Sequence, residues 1–289
     1  MFQFNRFFKT LLVTSMSMIF SPQLTAADTT GRNIISFWNG NKSEIRQSYE
    51  SEVFATVIKQ INQSLNKSYR WHENRDTLSI AEESSIFSQQ EYDVFVSVAG
   101  NPKLDQENKI LIPIPLMQGL LGTRLMIINE RDRVKFATIK TKAQLQALYS
   151  GIPAGWADAK LFRANNFNVN ETGTFDDILL RLKRKQFDYF ALGANEIESV
   201  YEQRVTAKEN LIIEPTLALY YPFPVVFYVN PNRAELAQQL RASLHQLVQN
   251  ETLNKIFARY FAQIQERLNL TERKFIHLEN PLLPKALAN

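Results

Sequence analysis

Apolar and polar positions along the chain fall into a strand–helix–strand order. Residues 33–38 (NIISFW) form an apolar run of strand length that stops at a polar turn, Asn39-Gly40-Asn41. Val53, Phe54, Val57, Ile58, Ile61 and Leu65 recur at helical spacing, which predicts a helix with one buried stripe. A second strand is predicted at 92–98 (YDVFVSV), ended by Ala99-Gly100-Asn101-Pro102, and others at 110–112 and 124–128. The middle third repeats this order. Residues 142–149 read as helix, 151–155 as a tight connection, and 157–164 as a helix after Trp156. Thr174 is placed to cap a helix carrying Phe175, Ile178, Leu179 and Leu182 on its buried side. Residues 187–192 form an apolar strand that stops at Gly193, with Ala194, Asn195 and Glu196 just beyond. The last third brings a strand at 224–229, then Asn232 and Glu235 at capping-box spacing. Two helices follow, one with Leu236, Leu240, Leu244 and Leu247, the other with Ile256, Phe257, Tyr260, Phe261 and Ile264. The tail from Asn280 reads as a loosely held surface segment. Strands alternating with helices predict an α/β fold with largely parallel pairing.

Composition changes this picture at the N-terminus. Arg6 and Lys9 precede an apolar run at 11–20, Pro22 breaks it, and Thr25-Ala26-Ala27 supplies small residues. The run is too short to span a bilayer. Residues 1–27 are therefore expected to be a secretory signal cleaved near Ala27, leaving an exported, periplasmic chain. The formal charge of +4 overstates that of the mature chain, because the signal holds two cations and no acid. The chain has no cysteine, so its stability is expected to come from burial, and thiolate metal sites and thiol nucleophiles are excluded. The basic run Lys183-Arg184-Lys185 ends a predicted helix, where cations meet the negative end of the dipole. No aromatic stacking motif accompanies it, so nucleic acid is not an expected partner. His72, His245 and His277 share no ligand spacing, and no nucleophile elbow, Walker loop or dinucleotide glycine pattern is present. The residues thus supply no catalytic set, no metal site and no cofactor; a non-enzymatic protein is expected.

Several side chains have two physical readings. Trp38 ends the first strand beside Asn39 and can stack on a ligand or pack the core. Arg124 can meet an anion or form a structural salt bridge. Trp156 follows a glycine and precedes an acidic helix start, which suits a stacking surface in a cleft. Asp176 and Asp177 suit a helix start rather than acid–base chemistry.

Three stretches, taken in order, resemble the type 2 periplasmic solute-binding proteins, in particular the family 3 group of polar amino acid receptors of ABC transporters. They are YDVFVSVAGNP, GTFDDILLRLKRKQFDYFALGANEI and the run from Tyr220 to Phe261 that opens YYPFPVVFYVNPN. The resemblance implies two lobes, each a mostly parallel sheet flanked by helices, joined by two crossing strands. Lobe 1 would hold 28–123 and 223–289, and lobe 2 would hold 124–222. Ligands in such sheets bind beyond the carboxyl ends of strands, which puts Gly193–Glu196 at the lip of a cleft. The implied ligand site is Trp38, Asn39, Asn101, Arg124, Trp156, Asn195 and Glu196. The two asparagines at 39 and 101 would hydrogen-bond, Arg124 would pair with an anion, Trp156 would stack and Glu196 would pair with a cation. Where the family carries its carboxylate-gripping arginine, this chain reads Lys103-Leu104, and Glu196 stands a few residues beyond the family's ammonium-binding aspartate. The implied partners are a small polar molecule and an inner-membrane permease, with a membrane sensor as the alternative, and the implied state is a monomer.

Overall fold

The computed structural model describes residues 33–205 and 210–287; the expected signal at 1–27 lies outside them. The chain first lays down β1 (Ile34–Trp38), α1 (Glu44–Leu65), β2 (Arg70–Asn74), α2 (Ile80–Ser84), β3 (Val94–Val98) and β4 (Ile110–Ile112). A central stretch follows: β5 (Thr123–Asn129), α3 (Arg133–Ala137), α4 (Lys142–Gln146), β6 (Tyr149–Ile152), α5 (Ala157–Ala164) and β7 (Asn168–Glu171). It continues with α6 (Ile178–Lys183), β8 (Tyr189–Gly193), α7 (Ile197–Arg204), β9 (Leu211–Ile213) and β10 (Leu217–Tyr220). The last stretch is β11 (Val225–Val229), α8 (Ala234–Gln249), α9 (Thr252–Phe261), α10 (Ile264–Arg267) and β12 (Lys274–His277).

These strands build two sheets, one in each lobe. The first has the order β2-β1-β3-β11-β4, with β1 parallel to β2 and β3, and β11 antiparallel to β3 and β4. The second has the order β12-β10-β5-β8-β6-β7, with β9 beside β5. Both are mixed rather than mostly parallel, because the strands that carry the chain between lobes enter antiparallel to their neighbours.

The two-residue side-chain period of a strand explains the layers of the first lobe. Phe37, Val96 and Phe227 fall in the main core, where Phe37 stacks on Phe54 of α1 at 4.4 Å. Their neighbours Trp38, Phe95 and Tyr228 fall in a second, smaller cluster. The predicted stripe of α1 is buried at Val53, Phe54, Val57, Ile58 and Ile61. Each such side chain contributes about 1.5–3 kcal/mol relative to exposure.

The chain leaves the first sheet after β4 and enters the second at β5, then returns between β10 and β11. The two crossings lie side by side, Thr123 opposite Tyr220 and Arg124 opposite Leu219. They approach so closely that a Cβ on Gly122 would sit 2.1 Å from the Tyr221 carbonyl oxygen. Gly122→Ala is therefore expected to cost about 1–3 kcal/mol by overpacking, read as a lower urea midpoint; an unchanged midpoint would contradict this packing.

Some elements depart from the sequence expectation. The helix expected at 142–149 stops at Gln146, and Tyr149–Ile152 is strand where the end of that helix and the start of the tight connection at 151–155 were expected. The cause is parallel pairing with β7 and β8, together with the ring of Phe187, which lies 2.3 Å from where a Gly151 Cβ would stand. Thr174 does not cap a helix. Its amide donates to Asp177 at 3.1 Å and α6 begins only at Ile178. Asn230, not Asn232, supplies the side-chain acceptor ahead of α8.

The C-terminal expectation changes most. Lys274–His277, assigned to lobe 1, pairs in parallel with β10 and covers the edge of the second sheet. The tail from Asn280 is held rather than loose: Leu282 packs on the main core and Leu287 on the smaller cluster. Covering an edge strand and partly burying two leucines both favour the docked tail.

Candidate functional site

Between the sheets lies a cavity of about 110 Å³ lined from both lobes. The loop after β1 and the first turn of α1 supply Asn41, Lys42, Ser43 and Arg46. Glu83 comes from α2, and Ser97, Asn101 and Lys103 from the end of β3 and its following turn. The second lobe answers with Arg124, Trp156, Asp158, Phe175 and Glu196, and Phe223 closes the side of the return crossing. The walls meet directly, since the Ser43 hydroxyl donates to Glu196 at 2.9 Å. Ser43 is the N-cap position of α1 but makes no side-chain cap bond, so its hydroxyl serves this cross-lobe contact.

The charges are layered. Glu50 on α1 is fully buried and receives Lys42 and Arg46, each at 2.7 Å. Lys42 also donates to the Val96 carbonyl. Burial disfavours the Lys42 cation most strongly, and its pKa lies below the ordinary lysine value although Glu50 opposes the shift. Glu83 gathers Lys103 at 2.6 Å, Asn41 at 3.1 Å and Asn101 at 3.4 Å. In the second lobe Arg124 is 2 % exposed; its Nη2 bonds Asp158 at 2.6 Å and its Nε donates to the Tyr221 hydroxyl at 2.7 Å. That hydroxyl in turn donates to Asp158 at 2.5 Å. Burial alone would lower the Arg124 pKa, but Asp158, Tyr221 and Glu196 outweigh it and raise it. The Tyr221 phenol is pushed well above its usual value, chiefly by burial. The guanidinium also sits over the Phe223 ring at 5.2 Å.

Four expected site residues therefore line the cavity: Asn101, Arg124, Trp156 and Glu196. Asn101 holds its own turn, accepting from the Lys103 amide at 3.1 Å and donating to Ser97 at 3.0 Å. Trp156 stacks on Phe175 at 5.7 Å, so the aromatic wall is a pair of rings rather than one. The other three lie elsewhere. Trp38 is packed against Tyr92 and Phe95, with its indole donating to the Asp76 carbonyl at 3.0 Å, so its role is core packing. Asn39 is fully buried and ties β1 to α1 and β2 through Gln47 and Glu73. Asn195 is buried beside Gly193 and borders a separate depression with Ile45 and Glu198.

Sequence reasoning missed Lys42, Ser43, Arg46, Glu83, Asp158 and Phe175. Two signals pointed to some of them. Lys42 to Arg46 follow the carboxyl end of β1, where α/β sheets place ligands, and Arg46 and Glu50 have ion-pair spacing on a helix. Lys103, at the position the resemblance gave to a carboxylate-gripping arginine, does reach the cavity. Among the described residues, no cluster of three or more acidic or histidine side chains could hold a metal ion.

No family model matches the chain, and no curated protein matches it in sequence. Solved structures do match. An ancestral arginine-binding protein bound to arginine is 14 % identical, with a TM-score of 0.55, over 80 % of this chain and 99 % of that one. An arginine third transport system periplasmic binding protein from Legionella pneumophila is 13 % identical, with a TM-score of 0.55, over 79 % and 98 %. A histidine kinase sensor domain with similarity to periplasmic binding proteins is 13 % identical, with a TM-score of 0.53, over 79 % and 96 %. At these identities the likeness is one of architecture: two sheets, side-by-side crossings and a cavity between lobes give this chain the two-lobed fold of the type 2 periplasmic binding proteins.

Proposed function

We propose that the protein is an exported, periplasmic solute-binding protein that captures a small polar zwitterion, such as an amino acid, and presents it to an ABC-type permease. The carrying observation is the separation of charge across the cavity. On the first lobe two cations, Lys42 and Arg46, share the single carboxylate Glu50. On the second, Glu196 has the Ser43 hydroxyl at 2.9 Å and its nearest paired cation, Arg124, at 3.9 Å. A carboxylate directed at the first wall and an ammonium directed at Glu196 would complete both. The cavity is somewhat smaller than an engineered cavity of about 150 Å³ that holds benzene, which favours a compact solute. Trp156 and Phe175 would pack its apolar part. Solute contacts with both walls would stabilise the closed arrangement, and no bond would be made or broken. Arginine-binding proteins among the structural matches support this reading.

A thermal-shift screen of the mature chain against amino acids, small peptides, polyamines and organic acids tests it. A zwitterion at about a hundred times its dissociation constant is expected to add about 2.7 kcal/mol, while simple acids and polyamines add little. Glu196→Gln is expected to weaken amine-bearing solutes selectively. Equal loss for solutes with and without an amine would remove Glu196 from the site, and no stabilisation by any zwitterion would refute the function. The match to a kinase sensor domain favours one second reading, in which the closed form is passed to a membrane sensor. Co-purification from membranes with a permease or with a kinase separates the two.

A further inference from the structure

The segment after α9 crosses between lobes twice more. On the outward leg Arg267 pairs with Glu198 of α7 at 2.8 Å, and Arg273 donates to the Leu217 carbonyl at 3.1 Å. β12 then joins the second sheet. On the way back the Leu278 amide donates to the Tyr220 carbonyl at 2.8 Å. Glu279 and Asn165 exchange two bonds: the Glu279 amide donates to Asn165 Oδ1 at 3.0 Å, and Asn165 Nδ2 donates to the Glu279 carbonyl at 2.7 Å. Asn280 donates to the Pro222 carbonyl beside the return crossing. The chain then reaches the first lobe. The Leu282 carbonyl lies so close to Gly100 that a Cβ there would stand 1.8 Å from its oxygen. Leu287 packs on the cluster containing Trp38, Phe95 and Tyr228.

The anchors are the roots of the cleft walls. Asn165 caps the C-terminus of α5, whose first turn carries Asp158, with Trp156 at its N-cap. Gly100 immediately precedes Asn101. Hinge opening moves one wall from the other, so the anchors must separate or the segment must release one of them.

We propose that residues 278–287 form a strap that fastens the two cleft walls together and sets how often the lobes part. The closed arrangement is then favoured before any solute binds, and a solute adds to a bias already built into the chain. Opening proceeds through detachment of the first-lobe end, which is held by packing of Leu282 and Leu287 and not by strand pairing. This inference concerns lobe opening alone and stands or falls apart from the identity of any solute.

The absence of cysteine allows spin labels to be placed at will. Asp105 and Lys160 face one another across the cleft mouth at 3.8 Å, each 59 % exposed, and an ion pair this exposed to water holds the lobes together only weakly. Labels on Asp105→Cys and Lys160→Cys in the mature chain are expected to give strong dipolar broadening without solute, with the open form below about a tenth of molecules. Truncation after Asn280 is expected to abolish the broadening in most molecules while circular dichroism stays native. Broadening retained in the folded, truncated chain would overturn the proposal. Should the truncated chain fail to fold, Leu287→Ser in the full-length chain decides: weakened broadening supports the strap, and an unchanged spectrum overturns it.

Discussion

Arg124→Met is expected to lower the unfolding free energy by about 3–5 kcal/mol, because it leaves Asp158 buried without its cation. Methionine retains much of the arginine stem against Phe223, so the loss reports charge rather than volume. Asp158 is 6 % exposed, and its remaining bond from Tyr221 is one hydrogen bond against a full desolvation cost. Urea unfolding gives the number. Adding Asp158→Asn should recover a large part of it, since a buried pair replaced at both ends leaves no orphan charge. A loss below about 1 kcal/mol would mean that the pair behaves like an exposed one.

Glu50→Gln is expected to cost a similar amount, about 3–5 kcal/mol at neutral pH, because one neutral amide replaces the carboxylate that serves two cations. The loss should also depend on pH. Lys42 already titrates below 10.5 because burial disfavours its charged form, and Glu50 is the largest influence holding it up. Without Glu50 the folded-state value falls further while the unfolded value stays. The folded chain then binds fewer protons than the unfolded one across the window between the two values, so stability rises with pH there. The deficit of Glu50→Gln relative to the parent should therefore shrink as pH is raised from about 7 towards the ordinary lysine value. A deficit that is flat across that range would show that Lys42 keeps its proton by other means.

Much of the fold was legible because its central strands and long helices are strongly patterned. The apolar runs at 94–98, 189–193 and 225–229 are fully or largely buried, and the stripe of α1 fell where its spacing put it except at its last position, Leu65, which is half exposed. What escaped notice was polar edge structure, together with the apolar strands β9 and β10, which are too short to show a period. β2 (RWHEN) and β7 (NVNE) pair on one side only and carry little apolar signal. β12 is short and lies far along the chain from the strand it covers, so no local pattern could announce it. The cavity was legible at the ends of strands, where Asn101 and Glu196 follow β3 and β8. Trp38 illustrates the opposite case. A tryptophan at a strand end has the same sequence signature whether it faces the cleft or the opposite layer, and only the pleat assigned it to the core. Lys42 and Arg46 pair with Glu50 within one segment, but Glu83 was invisible as part of the group because its partners Asn41, Asn101 and Lys103 come from separate segments.

β3 must wait for β11, and β10 for β12, before either sheet is complete. A growing polypeptide can therefore finish the first sheet only once Val229 has emerged and the second only once His277 has. Pairings this remote in sequence slow folding, since loop closure is costly before the contacts reward it. A chain cut short after β10 would lack a strand of each sheet, so neither half can be built from the polypeptide up to Tyr220 alone.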